Sequence, residues 1–129
     1  MNKTILIVED NPSNLKLVST VLEHAGYQVL STESATNAIV MAQALLPQLI
    51  LMDIQLPGLS GLEATRQLKA QAATSSIPII ALTAFAMKGD KERTLEAGCD
   101  GYIAKPFGYK DLLAKVAEII GSAEKVTTP

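Results

Sequence analysis

Leu49-Ile50-Leu51-Met52-Asp53-Ile54-Gln55-Leu56-Pro57-Gly58 is an apolar run that ends in a carboxylate and breaks into a Pro/Gly loop. An unbroken hydrophobic stretch bounded by turn signals reads as a strand buried on both faces. A charge at its end is a poor choice for packing and a good one for chemistry. Three other runs end in the same manner. Ile5-Leu6-Ile7-Val8 stops at Glu9 and Asp10, Ile79-Ile80-Ala81-Leu82 at Thr83, and Tyr102-Ile103-Ala104 at Lys105. One sheet edge therefore collects three acids, a hydroxyl and an ammonium. In an open α/β sheet, the C-terminal ends of the strands are where ligands bind.

Helical patterns fill the intervals, and the alternation predicts an α/β domain: a parallel sheet with helices on both faces. Strand one spans Thr4 to Val8. Asn11 is placed to cap the first helix, with Pro12 in the first helical position; Leu15, Val18, Leu22 and Ala25 recur at helical spacing, and Gly26 ends the helix. Strand two covers Gln28 to Ser31. A second helix is predicted from Ser34 to Leu46, with Ile39, Ala42 and Leu46 facing inward and Pro47 stopping it. The third starts near Ser60, turns Leu62, Thr65 and Leu68 inward, and frays into the polar stretch Gln71 to Ser76. Strand four runs from Pro78 to Leu82. Met87 to Ala97 has helical propensity but few apolar anchors, which predicts a helix of low local stability. Strand five is Tyr102 to Ala104, and the closing helix shows Leu112, Leu113, Val116, Ile119 and Ile120 before Gly121. Right-handed crossovers put all the strand C-termini on one edge. Residues 1–122 are expected to form one domain and 123–129 a loose tail.

Composition narrows the function classes. The 129 residues suffice for one well-buried core, which must be aliphatic because only three tyrosines and two phenylalanines are available. A net charge of −2 argues against a nucleic-acid surface, which needs a concentrated basic face. The single cysteine, Cys99, makes no internal disulfide and fits a cytoplasmic protein. No apolar stretch approaches the roughly 20 residues that span a bilayer. The only histidine, His24, sits on helix one, away from the acidic edge.

Three carboxylates gathered at one point repel one another, and a hard divalent cation removes the conflict. Mg²⁺ takes oxygen ligands, typically one or two carboxylates with waters and a phosphate, and Mn²⁺ can replace it. Asp10 and Asp53 suit direct ligation, the Gln55 main-chain carbonyl lies in the loop that can wrap the ion, and Glu9 is long enough to act through a bound water. Lys105 supplies a point charge for phosphoryl oxygens, and the Thr83 hydroxyl a directional donor. A carboxylate nucleophile, a metal, a lysine and a hydroxyl together suit phosphoryl transfer to Asp53.

Four motifs, Ile7-Val8-Glu9-Asp10-Asn11, Leu51-Met52-Asp53-Ile54-Gln55-Leu56-Pro57, Leu82-Thr83-Ala84 and Tyr102-Ile103-Ala104-Lys105-Pro106, resemble in their order the receiver domain of two-component response regulators. The resemblance covers about residues 3 to 120, and Thr83-Ala84-Phe85-Ala86-Met87-Lys88-Gly89-Asp90 is similar to DivK-type single-domain regulators and to receivers within hybrid sensor kinases. It implies a flavodoxin-like (βα)5 fold of three layers, with strand order 2-1-3-4-5 and a cis bond before Pro106. It implies that Asp53 accepts a phosphoryl group from a phosphohistidine of a histidine kinase or phosphotransfer protein. Glu9 and Asp10 then help hold Mg²⁺, and Lys105 and Thr83 bind the phosphoryl group. Thr83 and Tyr102 form the switch that remodels the face around helix four, strand five and helix five for a downstream protein. Lys88 to Arg93 lies on that face. Bacterial origin follows from the same resemblance.

The leading expectation is thus a stand-alone phosphoacceptor module in the cytoplasm, with self-catalysed phosphoryl acceptance and slow autodephosphorylation in place of enzymatic turnover. It has no nucleic-acid or membrane partner, and the chain leaves no room for an output domain. Phe85, two residues beyond Thr83, cannot orient an attacking water as a polar residue would, which with Gln55 predicts a long-lived phosphoryl state. A phosphate sink or shuttle, or an excised hybrid-kinase receiver, fits the same residues. Two other classes compete. An Asp-dependent Mg²⁺ phosphohydrolase resembling haloacid dehalogenases would carry an acid where Gln55 stands, and a flavin binder would want a Ser/Thr/Gly-rich loop where Glu9-Asp10-Asn11-Pro12 stands.

Overall fold

A computed structural model describes residues 3–54, 56, 58–83, 88–104 and 108–121. The elements alternate as β1 (Thr4–Val8), α1 (Pro12–His24), β2 (Gln28–Thr32), α2 (Ala35–Leu45), β3 (Leu49–Asp53), α3 (Gly61–Ala70), β4 (Ile79–Thr83), α4 (Lys88–Glu96), β5 (Gly101–Ala104) and α5 (Tyr109–Ile120). All strand pairs are parallel, in the order β2-β1-β3-β4-β5. The flavodoxin-like order implied by the sequence resemblance is the order found.

Burial follows from that order. β3 and β4 are buried along their whole length, and β1 from Ile5 onward, as their unbroken apolar runs require. Successive residues alternate between two cores. Leu6, Val8, Ile50, Met52, Ile79 and Ala81 pack with Ala38 and Ala42 of α2 and Ala64 and Leu68 of α3. Ile5, Ile7, Leu49, Leu51, Ile80 and Leu82 pack with Val18 and Leu22 of α1 and Leu112 and Val116 of α5. Burying a Leu or Ile side chain contributes about 1.5–3 kcal/mol. The edge strands β2 and β5 are only partly covered.

Helix starts use short polar caps. The side chains of Asn11, Ser34 and Ser60 accept the backbone N–H of Asn14, Asn37 and Glu63 at 3.0, 3.0 and 3.1 Å. At the base of the sheet, the Lys69 ammonium donates to the carbonyls of Ser75 and Ile77 and to Asp100. The same Asp100 oxygen accepts the Ile79 N–H at 2.8 Å, so one ion pair ties the end of α3 to the start of β4 and to the turn before β5.

Three helix details differ from expectation. Leu46 does not face inward: it is 54% exposed and ends α2 in the left-handed region, at φ 46° and ψ 62°. Leu62 is only half-buried; the inward face of α3 is Gly61, Ala64, Thr65 and Leu68. The stretch 71–76 does not fray. Its Thr74 is fully buried, with its hydroxyl donating to the Leu68 carbonyl at 2.6 Å, so a polar residue closes the helix end from below.

Leu46 yields a prediction. A β-carbon in the left-handed region is strained, and the following Pro47 disfavours a helical conformation before it. Leu46→Gly is expected to raise stability by about 0.5–1 kcal/mol, the relief outweighing the added freedom of the unfolded chain. Urea unfolding should show a higher midpoint with unchanged slope.

Cys99 is core. It is buried, its thiol donates to the Thr65 hydroxyl at 3.8 Å, and burial pushes its pKa up. The thiolate is the reactive form, so Cys99 should react with a disulfide reagent at neutral pH only as fast as the domain opens. Fast labelling of the folded protein would contradict this.

Candidate functional site

The strand order makes the site. The chain leaves β1 toward β2 on one side and returns to β3 on the other, so a crevice opens where β1 and β3 end together. Val8 pairs with Met52, and one step further the register brings Glu9 level with Asp53. Asp53 pairs with Leu82 across β3 and β4, which sets Thr83 one step beyond it. Three hydrophobic strands, β1, β3 and β4, thereby carry three polar groups into one spot at little cost to the core.

Glu9, Asp53 and Thr83 are 1%, 4% and 4% exposed, and Asp10 is half-buried. One carboxylate oxygen from each of Glu9, Asp10 and Asp53 lies within 4.8 Å of the others. The Glu9 backbone is held by its N–H on the Thr32 carbonyl at 3.1 Å, and its carboxylate accepts the Asn11 N–H at 3.2 Å. Asn11 thus has two tasks, capping α1 with its side chain and holding Glu9 with its main chain. The oxygen-only donor set, on two neighbouring strand ends, fits a hard divalent cation such as Mg²⁺.

Tyr102 lies half-buried on β5, opposite Ala81, and packs against the same core layer as Ala81. Thr83, two residues beyond Ala81, has the same facing by strand periodicity. The two residues read as a switch therefore share one side of the sheet. Lys105, Gln55, Phe85 and Pro106 lie outside the described residues, as do the side chains of residues 88–91 and the tail. His24 is exposed near the C-terminal end of α1 and takes no part in the acidic cluster. Among the described residues, no helix is long and apolar enough to cross a membrane.

Two residues near the cluster were not singled out from sequence. Thr32, the last residue of β2, fixes the Glu9 backbone through its carbonyl. Gly61 opens α3 directly against the Asp53 main chain. The second left a signal: a glycine in a first helical turn already capped by Ser60 is a poor helix former, placed there for another reason.

Residues 5–117 match the response regulator receiver domain family. The polar-differentiation response regulator DivK of Brucella ovis is 46% identical over 123 residues, spanning 95% of this chain and all of the relative; that of Brucella anthropi is 45% identical over the same span. Among solved structures, the receiver domain of a Pseudomonas aeruginosa sensor histidine kinase superposes with a TM-score of 0.88 at 41% identity, covering 95% of this chain and 100% of that one. That structure holds a magnesium ion in its active-site cleft. The chemotaxis response regulator CheY4 of Vibrio cholerae superposes with a TM-score of 0.88 at 27% identity, covering 92% of this chain and 99% of that one.

Proposed function

The chain belongs to the response regulator receiver domain family, and we propose that it signals by accepting a phosphoryl group on Asp53 from a phosphohistidine of a histidine kinase or phosphotransfer protein. The observation that carries this reading is the convergence of Glu9, Asp10 and Asp53 within 4.8 Å at the shared end of β1 and β3, beside Thr83. Asp10 and Asp53 would hold Mg²⁺ directly, with the Gln55 carbonyl beside them and Glu9 acting through a water; Mn²⁺ would serve in its place. Bound there, the cation neutralises the acids and the incoming phosphoryl oxygens.

The chain's own residues do the rest. An Asp53 carboxylate oxygen attacks phosphorus in line, the P–N bond to the partner's imidazole breaks, and an acyl phosphate forms. The Thr83 hydroxyl donates to a phosphoryl oxygen and Lys105 contributes the fixed positive charge. Near-complete burial of Asp53 keeps water from the new acyl phosphate, and Phe85, two positions beyond Thr83 in sequence, is apolar and would not orient an attacking water. Movement of Thr83 toward the phosphoryl group leaves space on the sheet face it shares with Tyr102. That coupling would remodel the α4–β5–α5 surface for a downstream protein. The activity is that of a cytoplasmic signalling module, with no enzymatic turnover beyond its own phosphorylation and slow hydrolysis.

Incubation of the full chain with acetyl phosphate tests the reading by intact mass. A gain of about 80 Da that needs Mg²⁺ and is lost in mild base is expected. No gain from acetyl phosphate or from a phosphorylated histidine phosphotransfer protein would refute it.

A further inference from the structure

Among the described residues, Gly61 is the one glycine in direct contact with the candidate acceptor whose presence backbone freedom does not explain. Its φ is not positive, unlike those of Gly26, Gly58, Gly98 and Gly121. Space explains it. A β-carbon at residue 61 would lie 2.2 Å from the Asp53 carbonyl oxygen, 3.0 Å from the Asp53 carbonyl carbon and 3.0 Å from the Ile54 α-carbon. All three are main-chain atoms, and none can rotate aside.

We propose that Gly61 is a positioning residue for Asp53: lacking a side chain, it lets the first turn of α3 close on the Asp53 peptide and so fixes the level at which Asp53 meets Glu9 and Asp10. This rests on the reading of Asp53 as acceptor and metal ligand. The contact is held from several directions. The Gly61 N–H donates to the Ile54 carbonyl at 3.3 Å, and the Ile54 N–H to the Leu82 carbonyl of β4 at 3.0 Å. The fully buried Thr65 donates its hydroxyl to the Gly61 carbonyl at 2.8 Å and accepts the Cys99 thiol. Ala64 and Leu68 hold the rest of α3 in the core. With the helix fixed by its core side chains, an added methyl must displace the peptide at the end of β3. That peptide carries the phosphoacceptor.

The test compares Gly61→Ala with Gly98→Ala in the full chain. Gly98 is an independent tight position, at φ 109° with a β-carbon site 2.9 Å from Lys69 Cγ, at the far edge of the sheet from the acids. Mg²⁺ is titrated by calorimetry, and urea stability is measured alongside. Gly61→Ala is expected to weaken Mg²⁺ binding by about tenfold or more, as loss of a ligand's support does, while Gly98→Ala loses stability and keeps its Mg²⁺ affinity. Amide shifts of Asp53 and Ile54 in the metal-free protein should move in the first variant alone. Equal Mg²⁺ affinity in wild type and Gly61→Ala, or equal losses in both variants, would overturn the proposal. If wild type itself binds no Mg²⁺, the reading of Asp53 falls and this inference with it. Should Gly61→Ala not fold, Thr65→Val removes the hydroxyl bond to the Gly61 carbonyl, together with the weak acceptor of the Cys99 thiol, and adds no β-carbon against the Asp53 peptide. It should weaken Mg²⁺ by about threefold, and unchanged affinity would overturn the proposal.

Discussion

Asp53→Asn is expected to gain no phosphoryl group from acetyl phosphate or from a phosphohistidine donor, with or without Mg²⁺. An amide oxygen is a far weaker nucleophile than a carboxylate, and no base in the cluster can restore the lost charge. The swap is nearly isosteric at a site only 4% exposed, so the fold should persist and the loss should be chemical. Intact mass on the folded variant reads the outcome directly. A retained Mg²⁺-dependent gain would move the acceptor to another acid, and Asp10, within 4.8 Å of Asp53 through its carboxylate, is the first to examine. Asp10→Asn should behave differently, since Asp53 keeps its nucleophile. Acceptance there is expected to slow and to need more Mg²⁺, because one charge of the metal site is gone.

Much of this was legible because the informative residues sit where two patterns disagree. Leu49 to Met52 demand burial and Asp53 resists it, so a strand end and a chemical site are announced together. The same conflict marks Glu9 and Thr83. The strand order was not legible from periodicity and came from the motifs' resemblance to a family. Leu46 and Thr74 were misread for opposite reasons. Leu46 continues the helical spacing of α2, yet the chain leaves the helix there in a left-handed turn and exposes it. Thr74 sits in a polar stretch and is buried by one hydrogen bond to a residue six positions earlier. Spacing reports repeated facing, and it carries no information about a single exit geometry or a single polar plug. Gly61 is the instructive middle case: its sequence context marks it as a poor helix former, but only the approach of the Asp53 carbonyl says why.

Asp10→Asn should reverse the order of stability between variant and wild type as Mg²⁺ is added. Without metal, the wild type holds three acids together against their mutual repulsion, and removing the most exposed of the three charges relieves part of it. Discounted for the solvent that reaches Asp10, the gain is about 1 kcal/mol. With metal the balance inverts, since a ligand that binds only the folded state stabilises it by mass action. At about 100 times the dissociation constant, the wild type gains about 2.7 kcal/mol. The variant, with one charged ligand replaced by a neutral oxygen, should bind about 10–100-fold more weakly and gain about 0.4–1.4 kcal/mol at the same concentration. Urea midpoints in chelator and in Mg²⁺ therefore cross. Added sodium chloride should narrow the metal-free difference, because it screens the repulsion that Asn removes. A variant less stable than wild type in chelator would mean that Asp10 is held by favourable partners and the cluster is not frustrated. A variant that keeps the full Mg²⁺ gain would remove Asp10 from the metal site.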